Sequence, residues 1–120
     1  MKNPTIHDIP SLQHALAEFA NERNWEQFHT PKNLVMALSG EVGELTELFQ
    51  WLTPEQSQSF PAEKKESLEH ELADVMMYLL RIADICDVDL MEACNNKLQL
   101  NKEKYPVKKC FGQARKYNEL

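Results

Sequence analysis

Glycine and long apolar runs are scarce in this chain of 120 residues, and each scarcity excludes a class of protein. Three glycines are too few for the tight turns of an all-β protein, whereas abundant Leu, Ala, Glu and Lys favour helices. No apolar run approaches the ~20 residues that a membrane-spanning helix requires. The opening stretch, MKNPTIHDIP, lacks the apolar centre of a secretory signal. We therefore expect a helical protein of the cytoplasm that has no membrane partner.

The cysteines form an odd set without the spacing of a metal-binding cluster. We interpret Cys86, Cys94 and Cys110 as reduced thiols, as is usual in the cytosol. Cys86 and Cys94 are expected to be residues of the core.

The net charge of −6 is distributed unevenly. Residues 1–96 carry a balance of −11, whereas residues 97–120 carry +5. An acidic body repels nucleic acid polymers but suits divalent cations. The basic end could meet an anion that arrives with a metal ion, or it could be a solvated tail; charge alone leaves both open.

Four helical segments are recognisable from apolar residues at helical spacing and from capping residues. Ser11, Thr30 and Asp89 are the expected N-caps, and Thr53-Pro54 is expected to end the second helix. The predicted architecture is an all-α four-helix bundle, a single domain over residues 1–120 with a short irregular tail from about residue 106. The predicted helices run from about Ser11 to Asn24, Pro31 to Trp51, Ala62 to Cys86 and Asp89 to Lys104.

Two carboxylate pairs recur at the same spacing. Glu41 and Glu44 lie in GEVGELTELFQW, and Glu71 and Asp74 lie in ELADV. Residues three apart share a helix face, so antiparallel packing of the second and third helices would bring four carboxylates together. Their mutual repulsion would cost several kcal/mol without a counter-ion, and oxygen-only ligands favour Mg²⁺ or Mn²⁺. Such pairs are also common on solvated helices, and the residues alone leave both interpretations open.

Three further residues of the glutamate-rich segment need separate interpretations. Glu47 continues the three-residue spacing but rotates away from the pair, so it is either a residue that supports the metal ligands or plain surface charge. Gly40 and Gly43 cost about 1 kcal/mol each in a helix, which suggests close approach by a neighbouring helix.

Taken together, GEVGELTELFQW and ELADVMMYLLRIA resemble the signature of the all-α nucleoside triphosphate pyrophosphohydrolases, the MazG-like superfamily. The segments ERNWEQFHTPKNL, DVDL and NKEKYPV look most like its dCTP pyrophosphatase branch, and the similarity covers nearly the whole chain. The resemblance implies Mg²⁺-dependent conversion of a nucleoside triphosphate to the monophosphate and pyrophosphate, for sanitation of the nucleotide pool. It also implies a homodimer or a dimer of dimers, because pocket walls in this superfamily are usually shared between subunits. The implied metal-binding and catalytic residues are Glu41, Glu44, Glu71 and Asp74.

The same resemblance implies a substrate pocket. Stacking on aromatic rings stabilises a bound base by about 1–3 kcal/mol, and cationic side chains suit a triphosphate. Each aromatic or basic residue could instead be packing or solvated surface. Arg81 is a weaker candidate for contact with the phosphates. The implied substrate-binding residues are Trp25, Glu26, Gln27, Phe28, His29, Trp51, Tyr78, Lys97, Asn101 and Lys104.

Two departures from the family pattern keep other functions open. Leu16 stands where some members carry a histidine that touches the nucleotide, and His70 stands where an acidic residue is frequent before Glu71. His70 should not remove a metal ligand, but it could alter the local field. The Leu16 departure keeps open a base other than cytosine, such as that of dUTP or a modified dATP. A non-catalytic helical interaction module, whose acidic residues are mere surface charge, is the alternative from a different class.

Overall fold

The computed structural model describes residues 5–120, which form helices and turns with no β-strand. The predicted all-α fold class is confirmed. Within the described range no helix is both long enough and apolar enough to cross a membrane. Residues 1–4, part of the stretch interpreted as lacking a secretory signal, lie outside it. The α-helices are α1 (Ile9–Glu22), α2 (Pro31–Glu47), α3 (Pro54–Gln58), α4 (Lys65–Ile85), α5 (Leu90–Lys104) and α6 (Val107–Cys110).

The helix starts follow local capping chemistry. Thr30 caps α2 by accepting a hydrogen bond from the backbone N–H of Asn33, as predicted. Asp89 caps α5 in the same way, accepting from the N–H of Glu92 at 3.0 Å. The prediction for α1 is wrong by one turn: Asp8, not Ser11, is the cap. Asp8 accepts from both the backbone and the hydroxyl of Ser11, so Ser11 already lies inside the helix.

The predicted end of the second helix is also wrong. Helix α2 stops at Glu47, and residues 48–52 are turns and a bend. Thr53 then begins a helix rather than only ending one, because it accepts from Gln56 while the Gln56 side chain accepts from Thr53, a reciprocal capping box. The tail is less irregular than expected, since α6 and a 3₁₀ turn at Tyr117–Glu119 interrupt it.

The chain divides into two compact units, Met1–Asp87 and Val88–Leu120, so the single domain over residues 1–120 stays a prediction. In the first unit α4 packs against both α2 and α1, most extensively against α2. Leu34 of α2 and Leu80 of α4 are the largest fully buried side chains. The side-chain amide of Gln13 donates to the backbone carbonyl of Leu80 at 3.0 Å and ties α1 to α4.

Helices α2 and α4 run antiparallel, as the carboxylate argument requires. Leu45, late in α2, lines the same groove as Leu68, early in α4. Earlier in α2, Glu41 clusters with Glu71, which lies later in α4. Antiparallel packing therefore brings the two acidic pairs to the same level of the helix pair.

Two expectations about packing are wrong. Cys86 and Cys94 are exposed rather than buried in the core. A Cβ added at Gly40 or Gly43 would meet nothing within 4 Å, so within residues 5–120 no helix approaches either glycine closely. The helix continues through both glycines because neither has to adopt an unusual backbone conformation there.

Candidate active site

The acidic cluster is the first feature of the site. One carboxylate oxygen from each of Glu41, Glu44 and Glu71 lies within 4.8 Å of the others, close enough to bind one cation together. Glu41 and Glu44 come from consecutive turns of α2, and Glu71 comes from α4. The structure therefore brings together three of the four carboxylates that the spacing predicts.

The cluster is electrostatically unfavourable in the absence of a cation. Within residues 5–120, Glu41 Oε2 and Glu71 Oε2 are buried without a hydrogen-bond partner. Burial raises the pKa of Glu41 to about 7, reinforced by Glu44 and by the charges of Asp74 and Glu71. The pKa of Glu71 is also raised, first by burial and then by Glu44 and Asp74. Buried carboxylates are ordinarily paired or bound to a metal, so these oxygens fit a divalent cation.

Asp74 is the residue that joins the cluster to its surroundings. It follows Glu71 by three residues on α4, and its negative charge helps to raise the pKa of both Glu41 and Glu71. Its side chain also lines an adjoining cavity. Glu47, by contrast, is exposed and does not belong to the group of clustered carboxylates.

The cavity beside Asp74 has a volume of about 240 Å³. This volume is slightly smaller than the ~300–1,000 Å³ of pockets that hold a drug-sized ligand, and it suits one ring system. Aromatic and aliphatic side chains form most of its wall, and the polar groups are few. The lining residues are Leu16, Phe19, Trp25, His29, Asp74, Met77, Tyr78 and Arg81.

Trp25 reaches this cavity because of how α1 ends. Asn24 adopts a left-handed conformation with φ of 55°, and the N–H of Trp25 bonds back to the carbonyl of Ala20 at 2.9 Å. This arrangement is a Schellman motif, in which an apolar residue just past the helix packs on its last turn. The Trp25 ring accordingly lies edge-to-face with Phe19, with ring centroids 5.7 Å apart.

His29 forms another part of the wall and contacts Arg81. Nε of Arg81 donates to Nδ1 of His29 at 3.3 Å, linking α4 to the turn before α2. Burial and the neighbouring Arg81 cation lower the pKa of His29, and Glu26 opposes them weakly. His29 is therefore a neutral imidazole near pH 7. Helix α2 follows it, with Thr30 as the cap.

The other residues of the aromatic segment lie outside the cavity wall. Phe28 is 58% exposed, and its backbone carbonyl accepts from the side chain of Asn33. Gln27 donates to the carbonyl of Asn24 and so stabilises the turn itself. Glu26 is exposed and acts on the cavity through its charge on His29. Their predicted contacts with substrate stay predictions.

Trp51 also lies outside the cavity wall; it stands in the turns that follow α2 and is 86% exposed. The residues predicted to meet the phosphates belong to the second unit. Asn101 is half-buried on α5, and the Lys104 ammonium lies 4.8 Å from the ring centroid of Tyr117. Lys97 is exposed on the same helix. Their predicted roles are not tested by these positions.

Two residues of the cavity escaped the sequence analysis. Phe19 and Met77 line the cavity, but apolar residues at helical spacing give no signal that separates a pocket wall from a core. Leu16 was recognised only as a departure from the family pattern, and it too lines the cavity.

An acidic cluster beside an aromatic cavity, on an all-α scaffold, agrees with the family signature. The chain belongs to the MazG-like family, whose match covers residues 36–120. The predicted membership of this superfamily is therefore confirmed.

Individual relatives show which branch of the family this chain resembles. The dCTP pyrophosphatase 1 of Mus musculus is 48% identical over 119 residues, which cover 98% of this chain and 68% of the mouse protein. The Homo sapiens dCTP pyrophosphatase 1 is 47% identical over the same length and coverage. A crystal structure of a pyrophosphatase from Archaeoglobus fulgidus is 36% identical, with a TM-score of 0.78, and the match covers 88% of this chain and 99% of the archaeal chain. The predicted likeness to the dCTP pyrophosphatases is confirmed.

Proposed function

We propose that this chain hydrolyses dCTP, or a modified dCTP, to the monophosphate and pyrophosphate, with Mg²⁺ as cofactor. That the chain is a nucleoside triphosphate pyrophosphohydrolase resembling the dCTP enzymes follows from its relatives, which are named for this activity. One observation carries the proposal furthest: Asp74 acts on the clustered glutamates and also lines the aromatic cavity. A base in the cavity would therefore hold its phosphates close to the carboxylates.

The carboxylates would form the metal site. The two buried glutamate oxygens without partners support this role, since Mg²⁺ takes oxygen ligands. A bound Mg²⁺ would polarise the phosphate and offset its charge. Glu41, Glu44, Glu71 and Asp74 would hold it in place, and one of these carboxylates would orient the attacking water or accept its proton. Mn²⁺ is the expected substitute.

The cavity would bind the base. Trp25 offers an indole face, and Tyr78 lies one turn along α4 from Asp74, so its ring follows the metal site along the same helix face. Glu26, Gln27 and Phe28 would shape the entrance to the cavity through the turn that precedes His29. On the second unit, Lys97, Asn101 and Lys104 would supply positive charge and hydrogen bonds to the phosphates.

A homo-oligomer, dimer or tetramer, would complete the site. Large apolar side chains are exposed on the helices that carry the glutamates, including Met36 on α2 and Leu72 and Met76 on α4. Exposed apolar patches of this kind mark association surfaces. A second copy would also give the exposed Trp51 a neighbour. Light scattering coupled to gel filtration tests this assembly, and a monomer at micromolar concentration would contradict it.

The expected setting is the cytoplasm, where the enzyme would remove unwanted nucleotides from the pool. The same chemistry on another base, such as that of dUTP, dATP or a modified purine, is the nearest alternative. Leu16 keeps this alternative open, because the leucine offers no hydrogen bond to a base or sugar at the cavity wall.

A screen of pyrophosphate release over ordinary and modified nucleoside triphosphates tests the substrate. Cytosine deoxynucleotides are expected to give the highest kcat/KM. A higher kcat/KM for a uracil or purine nucleotide would replace the proposed substrate with another. No turnover of any nucleotide would favour the non-catalytic interaction module.

A further inference from the structure

Arg81 is the one arginine or lysine among the described residues of a cavity wall that consists mostly of aromatic and aliphatic side chains. Among residues 5–120 it is the one charged residue whose side chain is buried, with 9% of its surface exposed. Burying a guanidinium is costly unless its donors are satisfied by defined partners. The partners of Arg81 therefore indicate what this cation does in the cavity.

Those partners hold Arg81 from two sides. Nε donates to His29 Nδ1 at 3.3 Å, and Nη1 lies 3.5 Å from Oδ2 of Asp84, one turn along α4. His29 and Arg81 are 52 positions apart in the chain, so the contact ties the turn before α2 to α4. Asp84 fixes the guanidinium, and the guanidinium in turn fixes the imidazole.

This contact determines which imidazole nitrogen carries the proton. A guanidinium has only donors and does not lose its proton in proteins. Nδ1 of His29 must therefore be the unprotonated acceptor, which leaves the proton on Nε2. The lowered pKa of His29 agrees, since burial and Arg81 both oppose the imidazolium. Within residues 5–120, the Nε2–H has no protein acceptor, although His29 lines the cavity.

We propose that Arg81 is a positioning residue that holds His29 as a neutral Nε2–H donor, so that the imidazole recognises a hydrogen-bond acceptor on the base in the cavity. The ligand chemistry is a ring nitrogen or carbonyl oxygen at the edge of a pyrimidine. The recognition of the base by His29 rests on the proposed function, whereas the tautomer of His29 does not. The reacting phosphate lies with the carboxylates, so Arg81 would affect binding far more than the chemical step.

The tautomer can be measured without any substrate. Long-range ¹H–¹⁵N spectra of the uniformly labelled full chain distinguish the two imidazole nitrogens, and His29→Gln assigns the signal among the four histidines. In the wild type near neutral pH, His29 is expected to show an unprotonated Nδ1 and a protonated Nε2. Arg81→Ala should give a mixture of tautomers. A protonated Nδ1 in the wild type, or an unchanged spectrum in Arg81→Ala, would overturn the proposal.

A double-mutant cycle tests whether Arg81 acts through His29. Arg81→Ala and His29→Ala are each expected to raise the KM for dCTP about tenfold, the size of one hydrogen bond, with kcat changed less than threefold. The KM of the double variant should be no higher than that of the more affected single variant. A roughly hundredfold rise in the double variant would show independent action and overturn the proposal. Lys65→Ala, which removes an exposed cation from the start of α4, is the control.

Arg81→Met keeps an unbranched side chain in the cavity but removes every hydrogen-bond donor to His29 Nδ1. It is expected to alter the tautomer and the KM in the direction of Arg81→Ala, which decides the question if Arg81→Ala does not fold. Wild-type values for Arg81→Met would overturn the proposal. If the wild type hydrolyses no nucleotide, both the proposed function and the recognition of the base by His29 fail. The spectrum still decides the tautomer.

Discussion

Glu41 on α2 and Glu71 on α4 each contribute a buried carboxylate oxygen to one cluster, and neither oxygen has a hydrogen-bond partner within residues 5–120. Two such oxygens repel each other and have lost their hydration. The fold keeps them together because the α2–α4 interface is the most extensive helix contact of the first unit. The cluster therefore lowers the stability of the folded state unless protons or a cation offset its charge.

Replacing one of these carboxylates should stabilise the metal-free protein. Glu41→Gln removes a negative charge from the cluster while keeping the side-chain shape, so the melting temperature in EDTA at pH 8 should rise. The same variant should lose most of the stabilisation by Mg²⁺, which at about 100 times Kd amounts to about 2.7 kcal/mol in the wild type. Glu47→Gln, one turn or more along the exposed part of α2, is the matched control and should change neither quantity. A lower melting temperature for Glu41→Gln in EDTA would contradict the repulsion.

The stability of the metal-free protein should depend on pH through the same glutamates. The pKa of Glu41 is raised from 4.5 to about 7, so the folded state binds a proton that the unfolded state does not bind between these values. The contribution of Glu41 to stability is therefore complete below pH 4.5 and is lost as the pH rises through about 7. The raised pKa of Glu71 acts in the same direction.

Protons and Mg²⁺ compete for these oxygens, so stabilisation by Mg²⁺ should grow between about pH 5 and pH 8. Denaturant melts at several pH values, with and without Mg²⁺, measure the difference. Glu41→Gln should flatten the pH dependence. Stabilisation by Mg²⁺ that is largest at pH 5 would be inconsistent with a carboxylate site.

Trp25 should contribute to binding of the base. Trp25→Ala is expected to raise the KM for dCTP by roughly 5- to 150-fold, corresponding to a stacking free energy of about 1–3 kcal/mol. Trp25→Phe keeps an aromatic face and should recover part of the affinity. Equal KM values for Trp25→Ala and the wild type would exclude stacking on this residue.

Because Trp51 is 86% exposed, we expect it to contribute to substrate binding only through contact with a second copy of the chain or with the ligand itself. Trp51→Ala is expected to raise the KM for dCTP several-fold while leaving the free energy of unfolding within about 0.5 kcal/mol. Phe111→Ala, which alters a residue that is 87% exposed, is the control and should leave the KM unchanged. If Trp51→Ala also leaves the KM unchanged, the predicted role of Trp51 in substrate binding is wrong.

Features that depend on nearby residues were predictable from the sequence. Thr30 and Asp89 cap their helices because a cap needs only a short side chain and an N–H three residues later. The clustering of Glu41, Glu44 and Glu71 followed from one spacing repeated on two helices and from their antiparallel packing.

Features that depend on contacts between distant residues were not predictable. The Arg81–His29 hydrogen bond joins residues 52 positions apart, and no periodicity reports such a pair. The Schellman motif at Asn24 folds Trp25 onto Phe19 at the cavity wall, and a pattern of apolar residues gives no sign of this contact. The capping box of Thr53 was missed because the same Thr-Pro pair can end one helix or begin the next.

The most direct test of the proposed activity is pyrophosphate release from dCTP by three proteins, each with Mg²⁺ and with EDTA. The proteins are the wild type, Glu44→Ala and Glu47→Ala, which differ by one glutamate on the same helix. The predicted result is release by the wild type and Glu47→Ala with Mg²⁺ only, and a loss of at least about 100-fold in Glu44→Ala. Release that persists in EDTA, or equal release by Glu44→Ala and Glu47→Ala, would contradict a metal site built from these carboxylates.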